Sequence, residues 1–158
     1  MPVELEFAEP GNQRDLAARI AEAVFGTQED RDFLNHYVPH GARVPSTDAF
    51  AQFAATGVKC LAGVKSDDQM VGFILVADVP QHHSIGFGIK RDFAGQGIMS
   101  EGLRLFFEEN QEIAFPLNAY TSCRNEPSFR LLENSRFERQ ERGITFAGED
   151  AFHYIRRG

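Results

Sequence analysis

The chain reads as an α+β (mixed α/β) fold in one domain spanning residues 1–158, a central, mostly antiparallel sheet flanked by helices. Three observations predict it. Val3–Phe7 alternates apolar and acidic residues as a half-buried strand does, and Lys59–Val64, Met70–Val79 and Ser84–Lys90 are strand-like runs bounded by turn residues. Apolar residues at helical spacing occupy 14–25 and the stretch after Gly97. With 42% apolar and 25% charged residues in 158, the chain can bury a core.

The elements follow in order. Val3–Phe7 is a first strand, closed by Pro10-Gly11. Leu16, Ala17, Ile20, Ala21, Ala23 and Val24 mark a helix over 14–25, with Asn12 as its cap and Gly26 as its stop. Asp30 to Tyr37 forms a short second helix before a break at Pro39 and Gly41, and Ser46-Thr47-Asp48 caps a third that runs through Phe50, Phe53 and Ala54 to Gly57. Three strands come next, separated by Ser66-Asp67-Asp68 and by a polar loop of Pro80 with His82-His83; connections this short make them an antiparallel meander. A helix carrying Met99, Gly102, Leu103, Phe106 and Phe107 ends at Asn110 and Pro116. The strand Phe115–Cys123, the short helix Pro127–Asn134, and a hairpin of Phe137–Phe146 with Ala151–Ile155 around Gly148 complete the chain.

Sixteen Lys and Arg against 23 Asp and Glu leave a net charge of −7 with no basic cluster, so nucleic acid is not an expected partner. No run approaches the roughly 18 apolar residues of a membrane span, and the first twenty residues lack a basic stretch followed by an apolar core. A cytoplasmic protein without a membrane partner is expected. Cys60 and Cys123 sit in strand-like surroundings without Cys/His clustering, which predicts two buried free thiols, no disulfide and no metal.

The chemistry-bearing stretch is Phe93-Ala-Gly-Gln-Gly-Ile-Met-Ser-Glu-Gly-Leu103, a glycine turn between a strand and a helix. Such a turn presents successive backbone N–H groups, and the helix adds the positive end of its dipole, so the place suits phosphate. A dinucleotide fingerprint does not fit: position 100 is Ser rather than a third glycine, and Phe115–Cys123 holds no acid to take a ribose. No Gly-Lys-Ser/Thr follows, which excludes a triphosphate P-loop. A plain turn without ligand stays open on spacing alone.

Two segments resemble the GNAT acyl-CoA N-acyltransferases, in particular the RimJ/RimL-like branch that acetylates ribosomal-protein N-termini. Residues 84–103 are similar to that family's IGY strand, GQG or GKG turn and following helix. Asn125-Glu-Pro-Ser-Phe-Arg-Leu-Leu-Glu-Asn-Ser-Arg-Phe137 is similar to its N-x-x-S-x-x-L-L-E-x-x-G-F signature. The resemblance covers roughly 58–146. It implies a splayed sheet, with the pantetheine arm of acetyl-CoA in the gap against the backbone of Phe87, Gly88 and Ile89. The amides around Gly95, Gln96, Gly97, Ile98, Met99 and Ser100 would hold the pyrophosphate, and Asn125 would contact coenzyme A. No metal is implied.

This chain departs from the family pattern at Ala94, which loses a polar contact of the turn, and at Met99, a residue the RimL-like branch also carries. Arg136 stands where a Gly usually ends the short helix, and must find another cap geometry or accept strain in the left-handed region. Where many relatives use a Tyr to protonate the leaving thiolate, the matching residue is Leu132. Ser128 is then the candidate acid, the alternative being that Ser128 and Asn125 only cap their helix. The family's late Glu aligns near Ala147, which leaves Glu149, Asp150, His83 or an ordered water as base.

An α-amine with a pKa near 7.8 is roughly 14% neutral at pH 7, against about 0.04% for a Lys amine, so a weakly specified base favours low-pKa acceptors. The expected activity is therefore acetyl transfer from acetyl-CoA to an amine, a peptide N-terminus or a small molecule, by direct attack on the thioester. The alternative is a non-catalytic acyl-CoA sensor; a third is a structural dimerisation domain with an empty turn. A homodimer is compatible with a terminal hairpin of this kind.

Overall fold

In the computed structural model, which describes residues 2–36, 38, 43–44, 46–79 and 82–158, eight strands and five helices follow one another along the chain. They are β1 (Val3–Phe7), α1 (Gln13–Phe25), α2 (Gln28–Asn35), α3 (Thr47–Thr56), β2 (Val58–Ser66), β3 (Gln69–Val79), β4 (His82–Ile89), α4 (Ile98–Glu109), β5 (Leu117–Ser122), α5 (Glu126–Asn134), β6 (Glu138–Arg139), β7 (Ile144–Phe146) and β8 (Glu149–Arg156). The sheet order is β1-β2-β3-β4-β5-β8-β6, with β7 on the other half of β8. Among the described residues every pairing is antiparallel except β4 with β5.

Alternation sends each strand's apolar residues to two cores. On one face α4 and α5 cover the sheet, where Leu103, Phe106, Leu132 and Tyr154 pack with Ile74, Ile85, Leu117 and Ala119. Leu103 and Phe106 are fully buried, worth about 1.5–3 kcal/mol each. On the other face α1 and α3 bury Leu16, Ile20, Val24, Phe25, Phe50 and Ala54 against Leu61, Phe73 and Leu75. The rings of Phe25, Phe50 and Phe73 lie 4.5–5.8 Å apart, tilted on one another as aromatic quadrupoles favour.

Several elements differ from the sequence reading. His82 and His83 belong to β4, paired with Val79 and Asp78, because β3 extends far enough to recruit them. The tight turn consists of Asp67 and Asp68 alone, both at positive φ (50° and 64°), while Ser66 ends β2. Asn12 precedes α1 but does not cap it: its Oδ1 accepts the N–H of Glu9 at 2.6 Å and closes the preceding turn. The second helix starts at Gln28 because Thr27 accepts the N–H of Asp30, and it ends at Asn35. Tyr37, Pro39, Gly41 and Pro80 lie outside the described residues. The run Phe137–Phe146 is two strands, of which β7 forms the hairpin with β8 across Ala147 and Gly148, at φ 50° and 84°. Neither cysteine is fully buried: Cys60 is half-buried and Cys123 exposed just past β5, although both are free thiols.

Candidate active site

The sheet opens where the parallel pairing of β4 with β5 fails. β4 and β5 meet at His83 opposite Leu117 and Ser84 opposite Asn118, and beyond Ser84 no strand among the described residues pairs with that edge of β4. At about 3.3 Å per residue, Ser84 to Ile89 leaves roughly 17 Å of open strand edge. Lys90 N–H donates to Val71 in β3 at 2.7 Å, and successive residues face opposite edges, so the backbone groups of Phe87 and Ile89 face the opening.

Gly88 departs from expectation, because its N–H and C=O face β3 in its pairing with Phe73. Its contribution is the missing side chain. A Cβ there would lie 2.7 Å from the Phe73 ring and 3.0 Å from Leu34.

The open edge runs into the glycine turn. A single 3-10 turn at Arg91–Phe93 leads to Gly95 (φ 76°) and Gly97 (φ 80°), both in the left-handed region, and α4 begins at Ile98. The Gln96 side chain braces the turn by donating to the Asp92 carbonyl at 3.1 Å. The first N–H of α4 with an intrachain acceptor is that of Glu101, to Gly97. The N–H groups of Gly95, Gln96, Gly97, Ile98, Met99 and Ser100 therefore have no acceptor among the described residues. A Cβ on Gly95 or Gly97 would meet nothing within 4 Å, so the space over the turn is open.

Ile98 and Met99 are buried beneath it, with the Met99 methyl packed near Gly72, so the bulk of Met99 lies away from the opening. Six consecutive donors at a helix N-terminus fit a pyrophosphate.

On the other arm of the opening, β5 ends at Ser122 and α5 starts at Glu126. Asn125 caps α5, its Oδ1 accepting the N–H of Ser128 at 3.2 Å. The Ser128 hydroxyl makes no hydrogen bond among the described residues and is half-exposed. Leu132 is buried in the core and offers no proton. Arg136 takes the left-handed option, at φ 67°.

The candidate bases are spread out. His83 stands at the closed end of the opening, on the α4 face, lining a cavity of about 300 Å³ with Cys60, Glu109 and Asn110. Asn125 and Ser128 follow the open end of β5, whereas His83 pairs with Leu117 where that strand begins. Glu149 begins β8 and accepts Arg124 Nε at 3.0 Å and Nη2 at 2.6 Å. Arg124, against a smaller desolvation penalty, holds the Glu149 carboxyl below its usual range, which weakens it as a base. Asp150 is exposed beside it.

Sequence reasoning missed a group on the sheet face opposite α4 and α5. Tyr120 stacks between Phe146 (centroids 5.2 Å apart) and His153 (4.8 Å), and His153 Nε2 lies 2.7 Å from Asn118 Oδ1. The Asn118 amide donates to the His83 carbonyl at 3.3 Å, at the vertex of the splay. The period-2 pattern Asn118, Tyr120, Ser122 was a visible signal, but only the pairing of Tyr120 with His153 joins the rings.

An open strand edge that runs into an anion cradle at a helix N-terminus is the frame of an acyl-coenzyme A transferase. Residues 12–138 match the acetyltransferase (GNAT) domain family, and the chain belongs to that family. It is an acyltransferase, an N-acetyltransferase that uses acetyl-CoA.

Among solved structures, AAC(6')-Ib in complex with ribostamycin and coenzyme A aligns over 99% of this chain and 94% of its own, with a TM-score of 0.73 and 14% identity. The RimL ribosomal L7/L12 alpha-N-protein acetyltransferase in complex with coenzyme A aligns over 98% and 93%, with a TM-score of 0.71 and 15% identity. The ribosomal-protein-S5-alanine acetyltransferase from Vibrio fischeri aligns over 98% and 92%, with a TM-score of 0.64 and 16% identity. At these identities the likeness is one of fold. No curated protein matches the chain by sequence. Among the described residues no helix is long and apolar enough to cross a membrane, and no group of three His, Cys, Asp or Glu is placed to hold a metal.

Proposed function

We propose that the chain acetylates a low-pKa amine, a peptide N-terminus or a small-molecule amine, with Ser128 as the general acid. The observation that carries this reading is the continuity of the unpaired Phe87–Ile89 edge with six acceptor-free N–H groups at 95–100. Acetyl-CoA, when bound, supplies an activated acetyl thioester. The N–H groups of Phe87 and Ile89 align the pantetheine arm as an added strand would be aligned, and are donors for charge developing on the thioester oxygen. The amides at 95–100 anchor the pyrophosphate. The Ser128 hydroxyl, free of the cap, gives its proton to the departing thiolate and recovers one from solvent.

The acceptor must arrive largely neutral. His83 lies at the closed end and Glu149 is held ionised by Arg124, which favours an amine whose own pKa is near neutrality. In line with the neighbours' substrates, amines on ribosomal proteins or small molecules are the acceptors to test.

Titration calorimetry with acetyl-CoA, followed by thiol release over a panel of N-terminal peptides and amines, tests the proposal. Binding with amine-dependent thiol release is expected. Binding with no release from any amine of the panel would overturn both the proposed acceptor class and the proposed role of Ser128.

A further inference from the structure

A cationic cleft lies within a helical turn of the cradle. Between α4 and the end of α5 opens a cleft of about 440 Å³, lined by Ser100, Arg104, Phe107, Asn134, Arg136 and Arg156. Arg104 is neutralised, paired with Glu101 and Glu108 at 2.5 Å each. Arg136 and Arg156 are not: neither has a carboxylate partner among the described residues, the nearby Glu138 being taken by Arg157 at 3.8 Å.

Arg156 is held in place from behind. Its guanidinium lies 3.7 Å over the Phe107 ring, Nη1 donates to the Ser135 carbonyl at 2.8 Å, and Nε is buried without an acceptor. Burial, and then the charge of Arg136, push its pKa down. Two guanidinium groups that repel each other without a counterion mark a place that an anion would stabilise.

Arg136 itself occupies φ 67°, a backbone position that favours glycine and where the resembling signature has glycine. The chain thus holds an arginine against a local steric cost at the rim of this cleft. Ser100 connects the two regions, its N–H belonging to the cradle and the residue itself to the cleft wall.

Coenzyme A carries one anionic group beyond its pyrophosphate. We propose that Arg136, with Arg156 behind it, binds the 3'-phosphate of coenzyme A, so that the chain distinguishes acetyl-CoA from its 3'-dephospho form. The inference rests on the coenzyme reading of the cradle.

The test is calorimetry of coenzyme A, 3'-dephospho-coenzyme A and inorganic phosphate on the intact chain and on Arg136→Gly and Arg136→Lys. Glycine is at ease at this φ, so the first variant folds; lysine keeps the charge. The intact chain is expected to prefer coenzyme A over the dephospho form by about tenfold, the scale of one charge-assisted contact. Arg136→Gly should bring that preference to within about twofold by weakening coenzyme A alone, and Arg136→Lys should keep most of it.

Equal affinities of the intact chain for the two coenzymes overturn the proposal and leave the cradle reading standing. Loss of both by the same factor in Arg136→Gly overturns it too, as a structural role for Arg136. Inorganic phosphate that binds without competing with coenzyme A makes the cleft a separate anion site and overturns it as well. Binding of neither coenzyme overturns the cradle reading together with it.

Discussion

Asn125 accepts the backbone N–H of Ser128 at 3.2 Å, while the Ser128 hydroxyl takes no part in the cap. Helix capping and the proton donation proposed for Ser128 are therefore separable by mutation, although the two residues sit in one turn. Asn125→Ala removes the cap and should destabilise the fold by about 1 kcal/mol. For a chain of this length that is a fall of roughly 2–4 °C in Tm. Thermal melts check it, and an unchanged Tm would mean that solvent satisfies the Ser128 amide as well as Asn125 does.

Ser128→Ala should leave stability within about 0.5 kcal/mol, since no hydrogen bond is lost. Turnover is expected to drop by about a hundredfold with the coenzyme Kd unchanged, the signature of an interaction made only in the transition state. Steady-state kinetics beside calorimetry separates the outcomes. A variant that turns over like the parent removes Ser128 from the chemistry.

Gly97 and Gly143 make a matched pair: a Cβ on either would meet nothing within 4 Å, but only Gly97 has a positive φ, of 80°. Gly97→Ala should cost about 1–2 kcal/mol of stability through backbone strain alone. Because relief of that strain turns the amides at 97–100 away from one another, coenzyme affinity should fall at least tenfold. Gly143→Ala should be close to silent in both. Equal effects of the two substitutions on coenzyme affinity would show that the turn holds nothing.

Local chemistry made much of this architecture legible. The glycine turn, the Asn125 cap, the three-strand meander and the α4 spacing are written in contiguous residues, and each stands within a few positions of its expected place. What escaped depends on partners far along the chain. His82 and His83 have little strand preference of their own and extend only because β3 reaches them. α2 begins at Gln28 rather than at Asp30 because the Thr27 hydroxyl accepts the backbone N–H of Asp30. The Phe146–Tyr120–His153 stack needs the register between β5 and β8, set by 30-odd residues of intervening chain. The edge to which the Gly88 backbone points is decided by its pairing with Phe73 in β3, which no neighbouring residue signals.

The two cysteines should differ in reactivity. Cys60 is half-buried, and its thiol accepts the Asn110 amide at 3.1 Å; burial, against that weaker opposing contact, raises its pKa and keeps it protonated. Cys123 is exposed. An excess of a disulfide reagent at pH 7.5 should release one equivalent quickly and the second only on unfolding, and Cys123→Ser should abolish the fast phase. Two fast equivalents would show that the Cys60 cavity admits reagent.

Glu6 gives the fold an acid-sensitive contact between β1 and α1. Arg19 grips both of its oxygens, and Lys65 Nζ lies 3.2 Å from Oε1. Hydrogen bonding to Arg19, aided by Lys65 and opposed by partial burial, lowers its pKa from 4.5 to about 2. A carboxylate with a depressed folded pKa binds fewer protons in the native state, so its stabilisation is complete above pH 4.5 and fades as pH falls from 4.5 toward 2. Arg19 is 44% exposed, so solvent screening limits the contribution to about 1 kcal/mol. Glu6→Gln should therefore lower Tm by roughly 2–4 °C at pH 7, and that gap should narrow steadily between pH 4.5 and pH 3. Other carboxylates titrate in the same window, but they are common to both proteins and cancel in the difference. A gap that is constant across that window would mean that Glu6 titrates alike in the folded and unfolded chain.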